Sequence, residues 1–263
     1  MLVSYIMTVK NGQEFICSAI SSILSQQSVD IEIVVVDDGS TDNTASIIKG
    51  IEGNIIFIET GGVGRAKALN LGVRHSHGDY ICILDADDQI HPDKTKLQLD
   101  FVTKNKNRIQ VVFTDFFVFS HDDELTHFML TNYCVAHLLM TSPNVLRYKN
   151  PFCHSSMLIK KDILLSVGGY NENLTKLVDY DLYLRLMAKN INMACLNEKL
   201  TYKRFHSKQQ FENNKRINYI FAVFILQLKY NFNAHGYVYI PLIFAKLLYS
   251  FLPKAFRKYI KNK

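Results

Sequence analysis

Alternation of strand-like and helix-like segments constrains the fold of this chain more than any other feature. Residues 31–36 form a β-branched, apolar run, which is typical of a strand buried on both faces. In residues 14–27 the apolar side chains recur with helical spacing. We predict strands at residues 2–7, 31–36, 55–58, 80–84 and 111–113, with helices at 14–27, 40–51, about 65–75 and 92–104. This β-α order predicts an α/β fold with a mainly parallel sheet flanked by helices.

The second half of the sequence is less regular. Residues 120–150 give no clear pattern, and we expect a loop-rich segment there. A strand is predicted at 155–159, and helices are predicted at 161–167, 180–189, 209–232 and 237–260. No CxxC pair occurs among the five scattered cysteines, so neither a zinc site nor a disulfide framework is indicated.

Charge divides the chain into an acidic body and a basic end. From Lys203 onward, twelve Lys and Arg residues and one acidic residue, Glu212, give a net charge of +11. The whole chain carries +6, so residues 1–202 carry −5. A basic, apolar C-terminal segment predicts contact with an anionic surface. Nucleic acid is not the expected partner, because the body is acidic and no base-stacking motif accompanies the charge.

Polar clusters follow the predicted strands and mark the candidate site. Ligands of open parallel sheets bind beyond the carboxyl ends of the strands. Residues 8–11, 37–40 and 85–88 lie at such ends, and residues 179–181 open a later helix. These four clusters are therefore the positions from which chemistry is expected.

Three carboxylates within residues 85–88 repel one another, and a cation would relieve that repulsion. Oxygen ligands favour Mg²⁺ or Mn²⁺. A solvated acidic turn that caps the following helix explains the same residues. Asp37 and Asp38 fit a turn and helix cap equally well, and they also fit a phosphate-accepting receiver domain, although that class does not predict a second acidic cluster.

The order of four motifs resembles family 2 glycosyltransferases of the GT-A fold, which include bacterial polysaccharide and lipopolysaccharide glycosyltransferases. The motifs are VVVDDGSTD, GGVGRAKALNLGV, GDYICILDADD and GGYNENLTKLVDYDLYLR, and the resemblance covers about residues 2–206. It implies a GT-A catalytic domain at 1–208, with a nucleotide-binding region at about 1–114 and an acceptor-facing region at about 115–208. Residues 209–263 would form a helical C-terminal extension.

The same resemblance implies a donor site that binds a nucleotide-sugar, with UDP-sugar favoured. The implied nucleotide-binding residues are Thr8, Asp38, Arg65, Asn70 and Asp85. Asp38 would accept a hydrogen bond from the base. The implied ligands of Mg²⁺ or Mn²⁺ are Asp87, Asp88 and His206. The division of Asp85, Asp87 and Asp88 between ribose and metal is left open, and His206 fits either the metal or a phosphate oxygen.

Asp179 matches the catalytic base of the family. It would take a proton from the acceptor hydroxyl as that oxygen attacks the anomeric carbon, which inverts the anomeric centre. Val178 departs from the family pattern, in which a Glu precedes this Asp. Asp181 is expected either to favour the helix N-terminus or to make a structural bond in the site. His154 is expected to line the donor and acceptor cleft or to be a packed, hydrogen-bonded histidine.

The sequence leaves two other function classes open. A nucleotidyltransferase would make nucleotide sugars, but it needs a glycine-rich basic loop after the first strand, and residues 9–14 match this poorly. A catalytically silent binding subunit is favoured only by Val178, because Asp179 and the acidic triplet are present.

The C-terminal extension combines apolar residues with Lys254, Arg257, Lys258, Lys261 and Lys263. This pattern suits an interfacial helix on an anionic leaflet, or else packing against the body or a second copy in a homodimer. We expect a cytoplasmic protein, peripheral on the inner face of the cytoplasmic membrane. Its expected acceptor is a saccharide or lipid-linked saccharide in the synthesis of surface polysaccharide or lipopolysaccharide.

Overall fold

The computed structural model describes residues 1–105, 108–131, 138–139, 143–206, 216–232 and 236–252. The chain divides into two units. The first contains Met1–Thr141 and Phe152–His206, and the second contains Ser142–Pro151 and Ser207–Lys263. The candidate site residues all belong to the first unit.

A mixed sheet forms the centre of the first unit. Its strands are β1 (Leu2–Val9), β2 (Asp30–Asp37), β3 (Ile55–Glu59), β4 (Tyr80–Ile83), β5 (Gln89–Ile90), β6 (Val111–Phe119), β7 (Leu138–Leu139), β8 (Leu158–Lys160) and β9 (Met193–Arg204). They are ordered β3-β2-β1-β4-β8-β6-β9-β5, and β7 pairs with β9.

The half of the sheet nearest the N-terminus is parallel, as predicted. Strand β1 pairs in parallel with β2 and with β4, and β2 pairs in parallel with β3. Residues 33–36 of β2 are fully buried, which explains the unbroken β-branched run, because both faces of the strand are covered. Parallel pairing brings the carboxyl ends of β1, β2 and β4 to one edge of the sheet.

The helices of the first unit are α1 (Ile16–Leu24), α2 (Thr44–Lys49), α3 (Arg65–His75), α4 (Lys94–Lys104), α5 (Asp122–Thr131), α6 (Lys161–Ser166) and α7 (Val178–Ala188). Helix α2 begins later than the predicted start at residue 40. The reason is that Asp37 Oδ1 accepts from the backbone N–H of Ser40 (2.8 Å) and Asp42 Oδ1 accepts from that of Thr44 (3.0 Å). These side-chain bonds favour turns over helix.

The second half of the sheet differs from the sequence prediction. Strand β9 was not predicted, β6 runs six residues beyond the predicted end at 113, and α5 lies where loops were expected. Strand β8 pairs antiparallel with both β4 and β6. The strand predicted at 155–159 begins instead as a 3₁₀ turn, His154–Ser156, because Ser156 donates twice to the carbonyl of Cys153.

The second unit contains helices α8 (Arg216–Asn231) and α9 (Ile240–Phe251). The Asn231 amide donates to the carbonyl of Arg147 (2.8 Å), and Lys246 Nζ donates to that of Tyr148 (2.7 Å). Phe224 and Phe244 join the two helices edge to face. Of the helices described, none combines the length and apolar character needed to cross a bilayer. The predicted C-terminal part of α9 and its basic residues, at 253–263, lie outside the described residues.

Candidate active site

Asp38 closes the glycine-rich turn before α3. Its carboxylate accepts hydrogen bonds from the backbone N–H groups of Val63 (2.6 Å) and Gly64 (3.0 Å) and from the Thr60 hydroxyl (3.0 Å). Gly64, with φ of +92°, adopts a conformation that favours glycine. Asp38 therefore holds the turn that leads into α3. Thr8 lies beside it at the end of β1, opposite Val36 of β2.

An acidic turn, Asp85–Asp88, follows β4. Carboxylate oxygens of Asp85, Asp87 and Asp88 lie within 4.8 Å of one another. Asp88 is buried, and its two oxygens accept hydrogen bonds from the Ser155 hydroxyl (2.6 Å) and the backbone N–H of Arg204 (3.0 Å). Burial, followed by the charges of Asp87 and Asp85, raises the pKa of Asp88 well above its usual range. Asp88 thus ties the turn to two other segments of the chain.

Arg65, the first residue of α3, links the acidic turn to His154. Its Nη2 lies 2.5 Å from Asp85 Oδ1 and 3.3 Å from His154 Nδ1. Burial by itself would raise the pKa of Asp85, but the charge and hydrogen bond of Arg65, together with His154 and Lys203, outweigh it and bring that pKa down to about 2. Asp85 is therefore ionised and paired with a cation of the same unit.

His154 is a neutral, buried bridge. Its Nε2 lies 2.9 Å from the Tyr170 hydroxyl, and burial lowers the pKa of His154 from 6.5 to about 4. A guanidinium can only donate, so Nδ1 accepts from Arg65 and the ring proton is on Nε2, which donates to Tyr170. The structure thus joins Asp85, Arg65, His154 and Tyr170 in one chain of polar contacts.

This lowered pKa predicts a pH dependence of stability. Between pH 6.5 and pH 4 the unfolded chain binds a proton at His154 that the folded chain excludes, so stability falls as the pH falls through that range. We expect this group to remove about 2 kcal/mol of unfolding free energy between pH 7 and pH 5. Urea unfolding of His154→Gln should show a correspondingly flatter pH profile.

The exposed His75 provides the matched control for this experiment. Its Nδ1 lies 2.9 Å from the carbonyl oxygen of Leu71, one turn earlier in α3. His75→Gln should therefore keep the pH profile of the wild type. An unchanged slope in His154→Gln would contradict the assignment of the pH dependence to His154.

Asn70 fastens Tyr170 to α3. Its Oδ1 accepts from the Tyr170 backbone N–H (2.8 Å), and its Nδ2 donates to the Tyr170 carbonyl (2.8 Å) and to Glu172 (2.9 Å). A Cβ on Gly169 would lie 2.6 Å from Asn70 Oδ1, and Gly169 has φ of +64°. The amide of Asn70, which the sequence associated with the nucleotide, is thus engaged with the segment that leads to α7.

Asp179 lies in the first turn of α7 and borders the same network. Burial, and then the charge of Asp179, raises the pKa of Tyr183 well above its usual range. After Asp85, Asp179 also adds to the raised pKa of Arg65. Val178, which stands where the family has Glu, is buried. The candidate base therefore lies near Arg65, although it comes from a distant part of the sequence.

Asp181 makes a structural ion pair on the same helix. It is 1% exposed, and its Oδ2 accepts from Arg185 Nε at 2.8 Å. Arg185 also donates to the carbonyl of Val167 (2.6 Å), the residue after α6. Asp181 also lies in the first turn of α7, so its position fits the helix N-terminus as well as a structural bond.

His206 contacts the acidic turn from the other side. Its Nε2 lies 3.0 Å from Asp87 Oδ2, and its ring lies 4.8 Å from that of Phe15. Its Nδ1 is buried without a hydrogen-bond partner among the described residues. Sequence reasoning placed His206 with the acidic turn but missed Arg204 and Ser155, which hold Asp88. Both occur in segments that the family resemblance had already marked, and this was the only available signal.

The donor set of the acidic turn fits a divalent cation. Carboxylate oxygens suit Mg²⁺ or Mn²⁺, and an imidazole is a ligand for other divalent metals. Asp87 and His206 face each other at the turn, and Asp85 adds a third group. Asp88 fits less well, because each of its oxygens already accepts a hydrogen bond.

Comparison with known proteins identifies the family. The model of Glycosyl transferase family 2 matches residues 4–165, and the chain belongs to this family. An uncharacterized glycosyltransferase of Rickettsia conorii is 28% identical over 86% of this chain and 38% of its own length. Chondroitin synthase of Escherichia coli is 30% identical over 76% of this chain and 29% of its own length. The chain thus spans well under half of either relative.

Solved structures with the same fold include residues 1–349 of S. aureus TarS in complex with UDP-GlcNAc. The TM-score is 0.72 at 17% identity, over 95% of this chain and 72% of that one. The predicted fold class is confirmed: the first unit has the GT-A fold, with a large mixed sheet flanked by helices.

Proposed function

We propose that this protein transfers a sugar from a nucleotide-diphosphate donor to an acceptor hydroxyl and inverts the anomeric centre. One observation carries the proposal. In a family 2 chain, the acidic turn after β4 and Asp179 of α7 border the same Arg65–His154–Tyr170 network. A single displacement needs the sugar donor and the base to be held close together, and the acidic turn and Asp179 would hold them so.

In the proposed reaction Asp179 accepts the proton of the acceptor hydroxyl as that oxygen attacks the anomeric carbon. The new C–O bond forms on the face opposite the leaving group, and the bond from the anomeric carbon to the diphosphate oxygen breaks. A divalent cation held by Asp87 and His206, with Asp85 nearby, would supply positive charge to the departing diphosphate. Arg65 is a cation fixed against Asp85, and it would orient the donor there.

Nucleotide recognition is proposed at the carboxyl ends of β1 and β2. Thr8 and Asp38 lie there, and Asp38 Oδ2 has a lone pair left after its bond to Gly64, so that it could accept from the imide N–H of a base. A uracil base fits this pattern, and TarS in complex with UDP-GlcNAc supports a UDP-sugar donor. Asn70 is proposed to act indirectly, by positioning Tyr170.

Hydrolysis of a panel of nucleotide sugars tests the reaction class. Purified protein is incubated with each donor in Mn²⁺, Mg²⁺ or EDTA, and release of the nucleoside diphosphate is measured. We expect slow release from one donor that stops in EDTA. Formation of pyrophosphate from a nucleoside triphosphate and a sugar phosphate would favour a nucleotidyltransferase instead. If no donor is hydrolysed and calorimetry detects no nucleotide binding, the result would favour a catalytically silent binding subunit.

The second unit supports a proposal about location. Exposed apolar side chains recur one turn apart along α8, at Ile217, Phe221 and Ile225. Helix α9 is exposed along most of its length, including Leu242 and Leu248. These helices contain few charges, while the segment from Lys203 carries +11. We infer that the unit docks on an anionic bilayer, which would place the protein on the cytoplasmic face of the membrane.

Membrane docking predicts a loss of binding when the exposed apolar surface is made acidic. Leu248 is 69% exposed, so Leu248→Glu should leave the fold intact and weaken binding to phosphatidylserine-containing vesicles by at least about tenfold. Leu165→Glu, at a 52% exposed leucine of α6 in the first unit, is the matched control and should bind as the wild type does. Vesicle flotation at low and high salt measures both.

The outcome also decides between a membrane and a second copy of the chain. The docking proposal would be wrong if the wild-type protein does not bind these vesicles at low salt. If it instead sediments as a dimer that Leu248→Glu dissociates, the apolar surface is a homodimer interface. Docking would suit an acceptor that is lipid-linked or part of a surface polysaccharide or lipopolysaccharide, and the similarity to chondroitin synthase supports a saccharide acceptor.

A further inference from the structure

Arg204, the last residue of β9, lies between two aromatic rings. Its guanidinium carbon is 4.7 Å from the ring centroid of Phe15 and 4.5 Å from that of Phe119. Arg204 is 4% exposed, so this contact is shielded from water. A planar guanidinium can stack on ring faces while its N–H groups donate in the plane. The two rings therefore fix the plane in which Arg204 donates hydrogen bonds.

Those hydrogen bonds lead to the acidic turn. The backbone N–H of Arg204 donates to Asp88 Oδ1 (3.0 Å), and its Nε donates to the backbone carbonyl of Asp87 (3.2 Å). At the far end, Nη2 donates to Asp122 Oδ1 (2.8 Å) in the first turn of α5. One residue thus holds the side chain of Asp88 and the main chain of Asp87 and is anchored by Asp122.

His206 shares this support. Its ring contacts Phe15, and its Nε2 meets Asp87 Oδ2 at 3.0 Å. The peptide of Asp87 is therefore held by Arg204 while its carboxylate faces His206. Rotation of Arg204 out of its place between the rings would release the Asp87 end of that contact and one face of the Phe15 ring on which His206 packs.

We propose that Arg204 is a positioning residue that sets the spacing of the Asp87 carboxylate and the His206 ring for a divalent cation. This inference rests on the proposed metal-dependent function. Arg204 acts through the turn, because its hydrogen bonds reach Asp87 and Asp88 of the turn and its far end is anchored at Asp122.

Binding of Mn²⁺ alone tests the proposal, because it requires no donor and no turnover. Free Mn²⁺ is counted by electron paramagnetic resonance during titration of the full chain, and folding is checked by circular dichroism. Arg204→Met keeps an unbranched apolar side chain between the two rings and removes the positive charge and the N–H donors of the guanidinium. We expect it to weaken Mn²⁺ affinity by about tenfold or more, the range typical when the residues that support metal ligands are replaced.

Two further variants separate positioning from charge and from general damage. Arg204→Lys keeps the charge but cannot donate from a fixed plane, so it should recover only a small part of the affinity. Arg147→Met makes the same substitution at an arginine that contacts a ring in the second unit, that of Tyr239 at 5.9 Å. This control should bind Mn²⁺ within about twofold of the wild type.

Different results would contradict the positioning role of Arg204 and the metal site itself. A folded Arg204→Met that binds Mn²⁺ as the wild type does, or full recovery in Arg204→Lys, would overturn the positioning role and leave the proposed function standing. A wild type that binds no Mn²⁺ would overturn the metal site itself and this inference with it. If Arg204→Met does not fold, Phe119→Leu removes one ring only. It should weaken Mn²⁺ binding by about threefold, and unchanged binding would overturn the proposal.

Discussion

Asp179→Asn is expected to bind the donor and yet lose about 100- to 10,000-fold of the transfer rate, the range over which a general base contributes. Asparagine keeps the shape of the side chain but cannot accept the proton of the acceptor hydroxyl. The loss should therefore fall on kcat, while the affinity for the nucleoside diphosphate, measured by calorimetry, stays near that of the wild type. Donor hydrolysis and transfer to the acceptor should decline together.

Asp162→Asn is the matched control, because Asp162 also lies in the first turn of a helix, α6, where its exposed carboxylate pairs with Lys160. It should leave the rate unchanged. A transfer rate in Asp179→Asn within a few-fold of the wild type would exclude Asp179 as the base.

Asp87→Ala carries the second large expected effect. It removes the carboxylate that faces His206 and therefore one of the two proposed metal ligands. We expect donor hydrolysis to fall by about 100-fold or more, and EDTA to have no further effect on the residual activity. Nucleotide binding should also lose its dependence on Mn²⁺ in calorimetry.

The chain offers a second Asp–His pair as a control for this substitution. Asp93 Oδ2 lies 3.9 Å from His91 Nδ1, a few residues beyond the acidic turn. Asp93→Ala disrupts that pair without touching the turn, and it should retain activity and the response to EDTA. Full metal-dependent activity in Asp87→Ala would remove the acidic turn from the mechanism.

Sequence reasoning succeeded where a pattern is local. The β-branched run of β2 and the helical spacing of α1 each reflect burial on one element, and they were enough to predict the parallel half of the sheet. Strand β9 was missed because Asn197, Glu198 and Lys199 interrupt its apolar residues. Its long pairing with β6 decides the conformation instead, which is a tertiary effect.

The candidate site divides in the same way. Asp38, the acidic turn and Asp179 could be found because they occur in recognisable motifs. The partners of Arg204 could not, because Phe15 on one side and Phe119 and Asp122 on the other come from two segments that lie far from residue 204 in the sequence. Burial of charge is equally hidden in the sequence: Lys94 of α4 is fully buried over the ring of Tyr5, although lysine is rarely fully buried.

The amide clasp between Asn70 and Tyr170 has a consequence for protein engineering. Asn70 pairs with both backbone groups of Tyr170, much as a neighbouring strand would, and Gly169 must remain without a side chain for it to fit. The stretch that carries Asp179 is therefore matched to one residue of α3. Chimaeras that exchange this stretch between family members to alter the acceptor should succeed only when residue 70 travels with it.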